Sequence, residues 1–352
     1  MASLLRKISK LLRFTVIRLL LQIGPDWYWQ KKISNPITTV GDRVLNPRAH
    51  AYLHLLSQLS RPKEEWTVSG SRIAYMNSIK AFDGPQKSVR NVKSLRIVLE
   101  DRTLTGRLYD PRPQGLMYAG AAIVFFHGGG GVIGSIDTHD RLCRRLAGIC
   151  NLPVISVSYR LSPEHVFPAA VHDACDFWDW LQYKSRDLNI DSQNIFVIGD
   201  SFGANLAIAI CSKFSRRSHT NNPVAVVLIY PPVDASTTSK SRQELADEPL
   251  LFNDALEWFE EVMFPVKKVR SNFSLDRQSL EYFPPTLVFL CGFDSLRDDG
   301  LELTKNLKDY KVPVQFIEYR SMFHGFLTAS SVFPESQDLL RNIKLFVDDN
   351  QN

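Results

Sequence analysis

One stretch limits the folds open to this chain more than any other: Ile195-Phe-Val-Ile-Gly-Asp-Ser-Phe-Gly-Ala-Asn-Leu-Ala207. An apolar, β-rich run stops at Gly199, and a helix-forming run starts just beyond Ser201. Gly-x-Ser-x-Gly between a strand and a helix predicts a turn so tight that the serine projects at the strand's carboxyl end. Glycine suits the two flanking positions because a Cβ there would crowd the turn or the adjoining strand. The amides that open the following helix would point toward any oxygen the serine attacks.

The surrounding pattern supplies a sheet for that turn. Alternating runs at 94–100 and 105–109 read as a hairpin, and buried apolar strands follow at 122–126, 153–158, 195–198, 225–229, 286–290 and 314–317. Helix-length segments near 139–150, 168–184, 202–214, 298–310 and 335–348 separate or follow them. Strands that are apolar throughout, alternating with helices, imply a mostly parallel sheet covered on both faces. The expected fold is therefore α/β, with eight strands of which the first pair is antiparallel. Residues 233–280 break the rhythm with a polar and aromatic stretch, which reads as an insertion over the carboxyl edge of the sheet. Another helix is expected near 48–60, ahead of Pro62.

The formal net charge of +5 is local. Residues 1–32 carry seven Lys and Arg against one acid, so the rest of the chain stands at −1. That balance leaves no basic stripe for nucleic acid. In residues 3–23 the apolar positions Leu4, Leu5, Ile8, Leu11, Leu12, Val16, Leu19 and Ile23 share one helical face, and Arg6, Lys7, Lys10, Arg13 and Arg18 gather on the other. Such a helix either lies in a membrane surface or packs on the protein as part of a cap. Arg13 and Arg18 interrupt it well short of the ~20 residues that span a bilayer, and no cleavable-leader pattern follows. Trp27, Tyr28 and Trp29 suit either a headgroup boundary or a helix-to-body seal. The five cysteines, Cys143, Cys150, Cys175, Cys211 and Cys291, match no metal spacing and read as reduced core residues of a cytoplasmic protein.

A serine hydroxyl attacks only when a base, held by an acid, takes its proton. Past Ser201 the acids at a strand's carboxyl end are Asp294, Asp298 and Asp299, and Asp294 is nearest the strand. Asp298 and Asp299 fit the first turn of a helix, where its dipole favours acids. His324, in Met322-Phe-His-Gly-Phe326, follows the next strand and is the expected base. His127-Gly-Gly-Gly-Gly131 follows strand 122–126, and its run of amides suits an oxyanion better than a phosphate, since no Lys-Ser/Thr ending accompanies it. His127 is expected to anchor that loop. His50, His54, His139, His165, His172 and His219 lack ligand spacing and read as structural or surface residues, so no metal or cofactor is expected.

His127-Gly-Gly-Gly130, Tyr159-Arg-Leu-Ser-Pro-Glu-His165 with Phe167-Pro-Ala-Ala170, Gly199-Asp-Ser-Phe-Gly203, Asp294-Ser-Leu-Arg-Asp298 and His324-Gly-Phe326 occur in this order. In them the chain resembles the hormone-sensitive-lipase-like family of α/β-hydrolase carboxylesterases over residues 90–345. The resemblance implies an α/β-hydrolase fold with a helical cap built from N-terminal helices (1–60) and the 233–280 insertion. It implies Ser201, Asp294 and His324 as triad, and the glycine loop, Gly128, Gly129 and Gly130, with Phe202, as oxyanion hole. The implied activity is serine hydrolysis of an apolar acyl or aryl carboxylic ester; amide hydrolysis or deacetylation by the same triad, and a small-molecule receptor on the same scaffold, remain the alternatives. Two positions depart from the family: Phe202 replaces a small residue, which is expected to narrow the acyl pocket or repack the turn, and Gly131 replaces an aromatic, which is expected to widen the opposite wall.

Overall fold

In a computed structural model, residues 10–32, 38–58, 60–113, 115, 119–215, 222–233, 239–246, 251–265 and 277–351 are described. The described elements begin with α1 (Lys10–Ile23), α2 (Asp26–Lys32), a small hairpin of β1 (Thr39–Val40) and β2 (Arg43–Val44), α3 (Pro47–Ser57) and α4 (Val68–Phe82). Next come β3 (Asn91–Val98), β4 (Thr103–Asp110), β5 (Gly120–Phe126), α5 (Asp140–Cys150), β6 (Val154–Ser158), α6 (Ala169–Lys184), β7 (Ile190–Asp200) and α7 (Phe202–Ser215). The chain continues with β8 (Ala225–Ile229), α8 (Lys240–Glu244), α9 (Leu251–Met263), β9 (Thr286–Phe293), α10 (Arg297–Asp309), β10 (Val314–Phe323) and α11 (Glu335–Asp349).

Eight strands form one sheet in the order β10-β9-β8-β7-β5-β6-β4-β3. Every neighbouring pair from β10 to β6 is parallel, and β4 runs antiparallel to both β6 and β3. The expected α/β sheet is therefore present, including its antiparallel first pair. Its central strands are buried on both faces because two separate cores cover them. One joins Phe196, Ile198, Val227 and Phe289 to α5 and α11; the other joins Val197, Val226, Val288 and Leu290 to α6, α7 and α10. The covering helices are amphipathic at the expected period, as in α11, where Leu339, Leu340, Ile343, Phe346 and Val347 are buried.

Two helical features differ from expectation. The first is α4, whose sequence Val68-Ser-Gly-Ser-Arg-Ile-Ala-Tyr lacks a clean apolar stripe; Thr67 caps it, accepting from the Gly70 amide, and only Ile79 and Phe82 are fully buried. The second is the docked face of α1. Ile17 and Leu21, which lie outside the apolar face read from the sequence, are inaccessible, whereas Leu19 and Ile23 of that face are exposed. Burying two such side chains contributes about 1.5–3 kcal/mol each, enough to hold a short helix against fraying. Arg18 donates to the Ala81 carbonyl at 3.3 Å and Gln22 to that of Ser331 at 2.8 Å, so the attachment uses polar groups as well. Of the aromatic trio, Trp29 seals the contact, donating Nε1–H to Gly24 O at 3.1 Å, while Trp27 stays exposed. No helix among the described residues is long and apolar enough to cross a membrane. Residues 3–9, His219 and parts of the 233–280 segment (234–238, 247–250 and 266–276) lie outside the described residues.

Candidate active site

Three strand ends and one loop converge at the carboxyl edge of the sheet. Ser201 follows central β7 with φ +52°, a left-handed conformation that costs a non-glycine residue energy and is held by its surroundings. Its amide donates to Ile229 O at 2.8 Å, and the Ala204 amide returns to Ser201 O at 2.9 Å. Close approach explains the flanking glycines: a Cβ on Gly199 would strike the Gly203 backbone, and one on Gly203 would strike Phe126 O.

Asp294 follows β9 and His324 follows β10. The Asp294 carboxylate is 1% exposed; Oδ1 accepts the Leu296 amide at 2.9 Å and Oδ2 lies 2.7 Å from His324 Nδ1. His324 Nε2 is 3.0 Å from Ser201 Oγ. An Nδ1–H donated to the carboxylate fixes the tautomer, leaving Nε2 to accept the serine hydroxyl. The Tyr230 ring, 4.4 Å from the imidazole between centroids, backs that orientation. The other two acids serve the insertion: Asp298 accepts the Ser241 amide at 2.8 Å, and Asp299 pairs with Arg242 at 2.9 Å.

The glycine loop lies beside Ser201 because β5 is the neighbour of β7. Gly129 and Gly130 have φ of +119° and +59°, which a side chain resists. Of the four residues expected at the oxyanion site, Gly128 has its amide directed elsewhere, donating to Asp200 Oδ1 at 2.8 Å. The amides of Gly129 and Gly130 make no hydrogen bond within the described residues. Asp200 is thus a positioning residue that sequence reasoning passed over; its place between Gly199 and Ser201 gave no sign of a partner 72 residues upstream.

Behind the loop, Tyr159 donates its hydroxyl to His127 O at 2.6 Å and stacks on the His127 ring at 4.3 Å. Burial pushes the His127 pKa down to about 3, with His139 adding to the effect, so the ring is neutral near pH 7 and anchors the loop without titrating. The loop is tied further by the Ser162 amide, which donates to Gly131 O at 2.8 Å. Arg72 of α4 donates to Val132 O and Ser162 O and pairs with Glu164 at 2.7 Å.

The two departures meet in space. Phe202 is buried, 6.0 Å from the Tyr159 ring between centroids, and a Cβ on Gly131 would sit 3.1 Å from its ring and 3.0 Å from Met263 Sδ. The ring therefore fills the space over Gly131. Of the two effects expected of Phe202, the contacts with Tyr159 and over Gly131 are those of a side chain that repacks the turn.

That cavity, of about 260 Å³, contains Ser201 and His324 with Gly129 and Gly130 in its wall. Leu53 and Leu56 of α3, Ile79 of α4 and Phe259 of α9 make its apolar sides. Among the described residues no three His, Cys, Asp or Glu side chains are grouped to hold a metal ion. All five cysteines are buried and unbridged. Burial raises the thiols of Cys143, Cys150, Cys211 and Cys291, which keeps them in the unreactive protonated form.

A family model described as the α/β hydrolase fold matches residues 123–328. An ethyl acetate hydrolase from Pseudomonas putida is 33% identical over 303 residues, covering 84% of this chain and 95% of its own. The carboxylic ester hydrolase LipN of Mycobacterium tuberculosis is 33% identical over 263 residues, 72% of this chain and 69% of the relative. Among solved structures, a hyperthermophilic esterase from the archaeon Pyrobaculum calidifontis is similar with a TM-score of 0.79 at 30% identity, covering 87% of this chain and 98% of the other.

Proposed function

The chain belongs to the hormone-sensitive-lipase-like carboxylesterases of α/β-hydrolase fold, and from that premise we propose that it hydrolyses short apolar carboxylic esters through Ser201, His324 and Asp294. One observation carries the reading: a single imidazole bridges a buried carboxylate at 2.7 Å and a serine hydroxyl at 3.0 Å inside a cavity. His324 removes the Ser201 proton, Ser201 Oγ attacks the ester carbonyl, and the amides of Gly129, Gly130 and Phe202 receive the developing oxyanion. As the tetrahedral adduct collapses, His324 gives its proton to the leaving alkoxide, the alcohol departs and the acyl group stays on Ser201 Oγ; His324 then takes a proton from the water that attacks this acyl-enzyme and returns it to Ser201 as the acid leaves. Asp294 keeps the tautomer and stabilises the imidazolium. The chemistry draws only on side chains, backbone amides and water.

The size of the cavity supports short esters, since about 260 Å³ lies below the ~300–1,000 Å³ of drug-sized sites. The name of the Pseudomonas relative, an ethyl acetate hydrolase, points the same way. We assign α3, α4 and the 233–280 insertion to the cap, because residues from α3, α4 and α9 face the cavity.

The test is turnover of p-nitrophenyl esters from acetate to palmitate, beside the matching anilides. Short esters are expected to be turned over fastest, and Ser201→Ala is expected to lose at least about 10⁴-fold in kcat with its melting temperature kept. A Ser201→Ala variant that keeps its rate would remove the mechanism. Anilides matching the esters would favour an amidase, and binding of ligands without turnover would favour a receptor.

A further inference from the structure

The turn that carries Asp294 is gripped by the 233–280 insertion. Within the turn, Asp294 Oδ1 accepts the Leu296 amide at 2.9 Å, and the Arg297 amide donates to Asp294 O at 3.0 Å. These bonds join near neighbours, so they fix the turn's shape and leave its placement to contacts from elsewhere. Ser241 of α8, 0% exposed, supplies three. Its Oγ–H donates to Ser295 O at 2.7 Å, the same oxygen accepts the Asp298 amide at 3.2 Å, and its own amide donates to Asp298 Oδ2 at 2.8 Å. Ser239 Oγ lies 3.3 Å from the Ser241 hydroxyl and completes its surroundings. From the end of α8, Glu244 accepts from Arg297 at 2.9 Å, and that buried guanidinium also donates to Gly292 O at 3.0 Å and Asp298 Oδ1 at 2.9 Å.

Both sides of Asp294 are thereby tied to one short helix that lies 54 residues earlier in the chain than Ser295. A buried polar network whose members are all bonded rigidifies what it joins. The tolerance at the far end is small, because the 2.7 Å contact of Asp294 Oδ2 with His324 Nδ1 weakens when the carboxylate shifts or turns. We propose that Ser241 is a positioning residue for the reaction, holding the turn so that Asp294 stays aimed at His324. The inference rests on the triad reading above. It makes the insertion part of the chemistry as well as of the enclosure. Arg242, next to Ser241, pairs with Asp299 at 2.9 Å and stands 3.6 Å from Glu260 of α9, and Phe259 of α9 lines the cavity. One segment therefore reaches from the cavity wall to the acid.

A double-mutant cycle in the full chain, read by steady-state kinetics on one short p-nitrophenyl ester, tests this. Ser241→Ala should lower kcat by about 10- to 100-fold and change KM less than about twofold, since a misaimed acid loses stabilisation in the transition state and not in binding. In an Asp294→Asn background the acid is already disabled, so the same substitution should cost less than about twofold. Damage that does not act through Asp294 would lower the rate by a similar factor in both backgrounds. An unchanged rate in Ser241→Ala, or equal losses in the two backgrounds, overturns the proposal. Should Ser241→Ala fail to fold, Glu244→Ala, at a half-buried position, takes its place in the cycle under the same criteria. Turnover undiminished in Asp294→Asn would bring down the triad reading and this inference together. A large loss in Asp294→Asn beside equal losses from Ser241→Ala removes the positioning role alone.

Discussion

Asp200 joins two pieces of the site through one carboxylate. Its Oδ1 takes the Gly128 amide at 2.8 Å and faces His139 Nε2 at 3.4 Å, so the glycine loop is registered against the turn that carries Ser201. Losing an oxyanion donor costs roughly 100- to 1000-fold in rate, and misaiming one costs less. Asp200→Ala should therefore lower kcat by about 10- to 100-fold with KM little changed, and Asp200→Asn should recover most of it by restoring an acceptor oxygen; steady-state kinetics on one short ester checks both. His127 gives a second test at this scale. Its pKa is depressed to about 3 in the fold from 6.5, so from pH 6.5 downward the unfolded chain takes up a proton that the folded chain refuses. Stability from this residue is complete above pH 6.5 and is lost as pH falls toward 3. Urea midpoints measured across that window should fall less steeply for His127→Asn than for the parent. Ser201, Asp294 and His324 were legible in the sequence because each closes a strand with its own local motif. Asp200 was not, since its partner is distant in sequence and nothing local marks it.

Among the elements, the turn after β7 and the glycine loop share one aromatic ring. From sequence, Phe202 and Gly131 stand as separate departures, because which way a side chain leaves a turn depends on backbone angles that residue types do not declare. In space the ring of one covers the other. Phe202→Ala should cost about 3–5 kcal/mol in stability, as for other buried Phe truncations, while leaving the order of preference among ester chain lengths as it was; thermal unfolding and the p-nitrophenyl series measure the two effects. Phe259→Ala should do the reverse, extending turnover to longer acyl chains at small cost, because Phe259 is only partly buried and lines the cavity next to Gly130. The strands of the sheet were readable because burial on both faces makes them apolar throughout. Helix α4 was not, because it is half-exposed and shares its face between the body and the cavity.

Over the whole molecule, the sheet and the N-terminal helices differ in how they are held. Each central strand is hydrogen-bonded on both sides and covered by two cores, whereas α1 is fixed by Ile17, Leu21 and a few polar contacts. Leu21→Asp should release α1 first: hydrogen exchange should speed up in 10–23 while β7 keeps its protection. The amphipathic character of this helix is legible in the sequence, but which side of it docks is not, since an apolar stripe looks alike whether it meets protein or is left outside; Ile17 and Leu21 are the side chains shut in.

The cavity holds Ser201 and His324 beside Gly129 and Gly130 at the carboxyl edge of the sheet, but takes much of its apolar wall from α3 and α4, which precede the sheet in the chain. The nucleophile and its base, and a large share of the apolar wall beside them, thus come from separate lengths of polypeptide. A chimera carrying a relative's residues in place of 47–82 should inherit the donor's ester preference and retain this chain's own turnover chemistry, so selectivity in this scaffold is transplantable as a block.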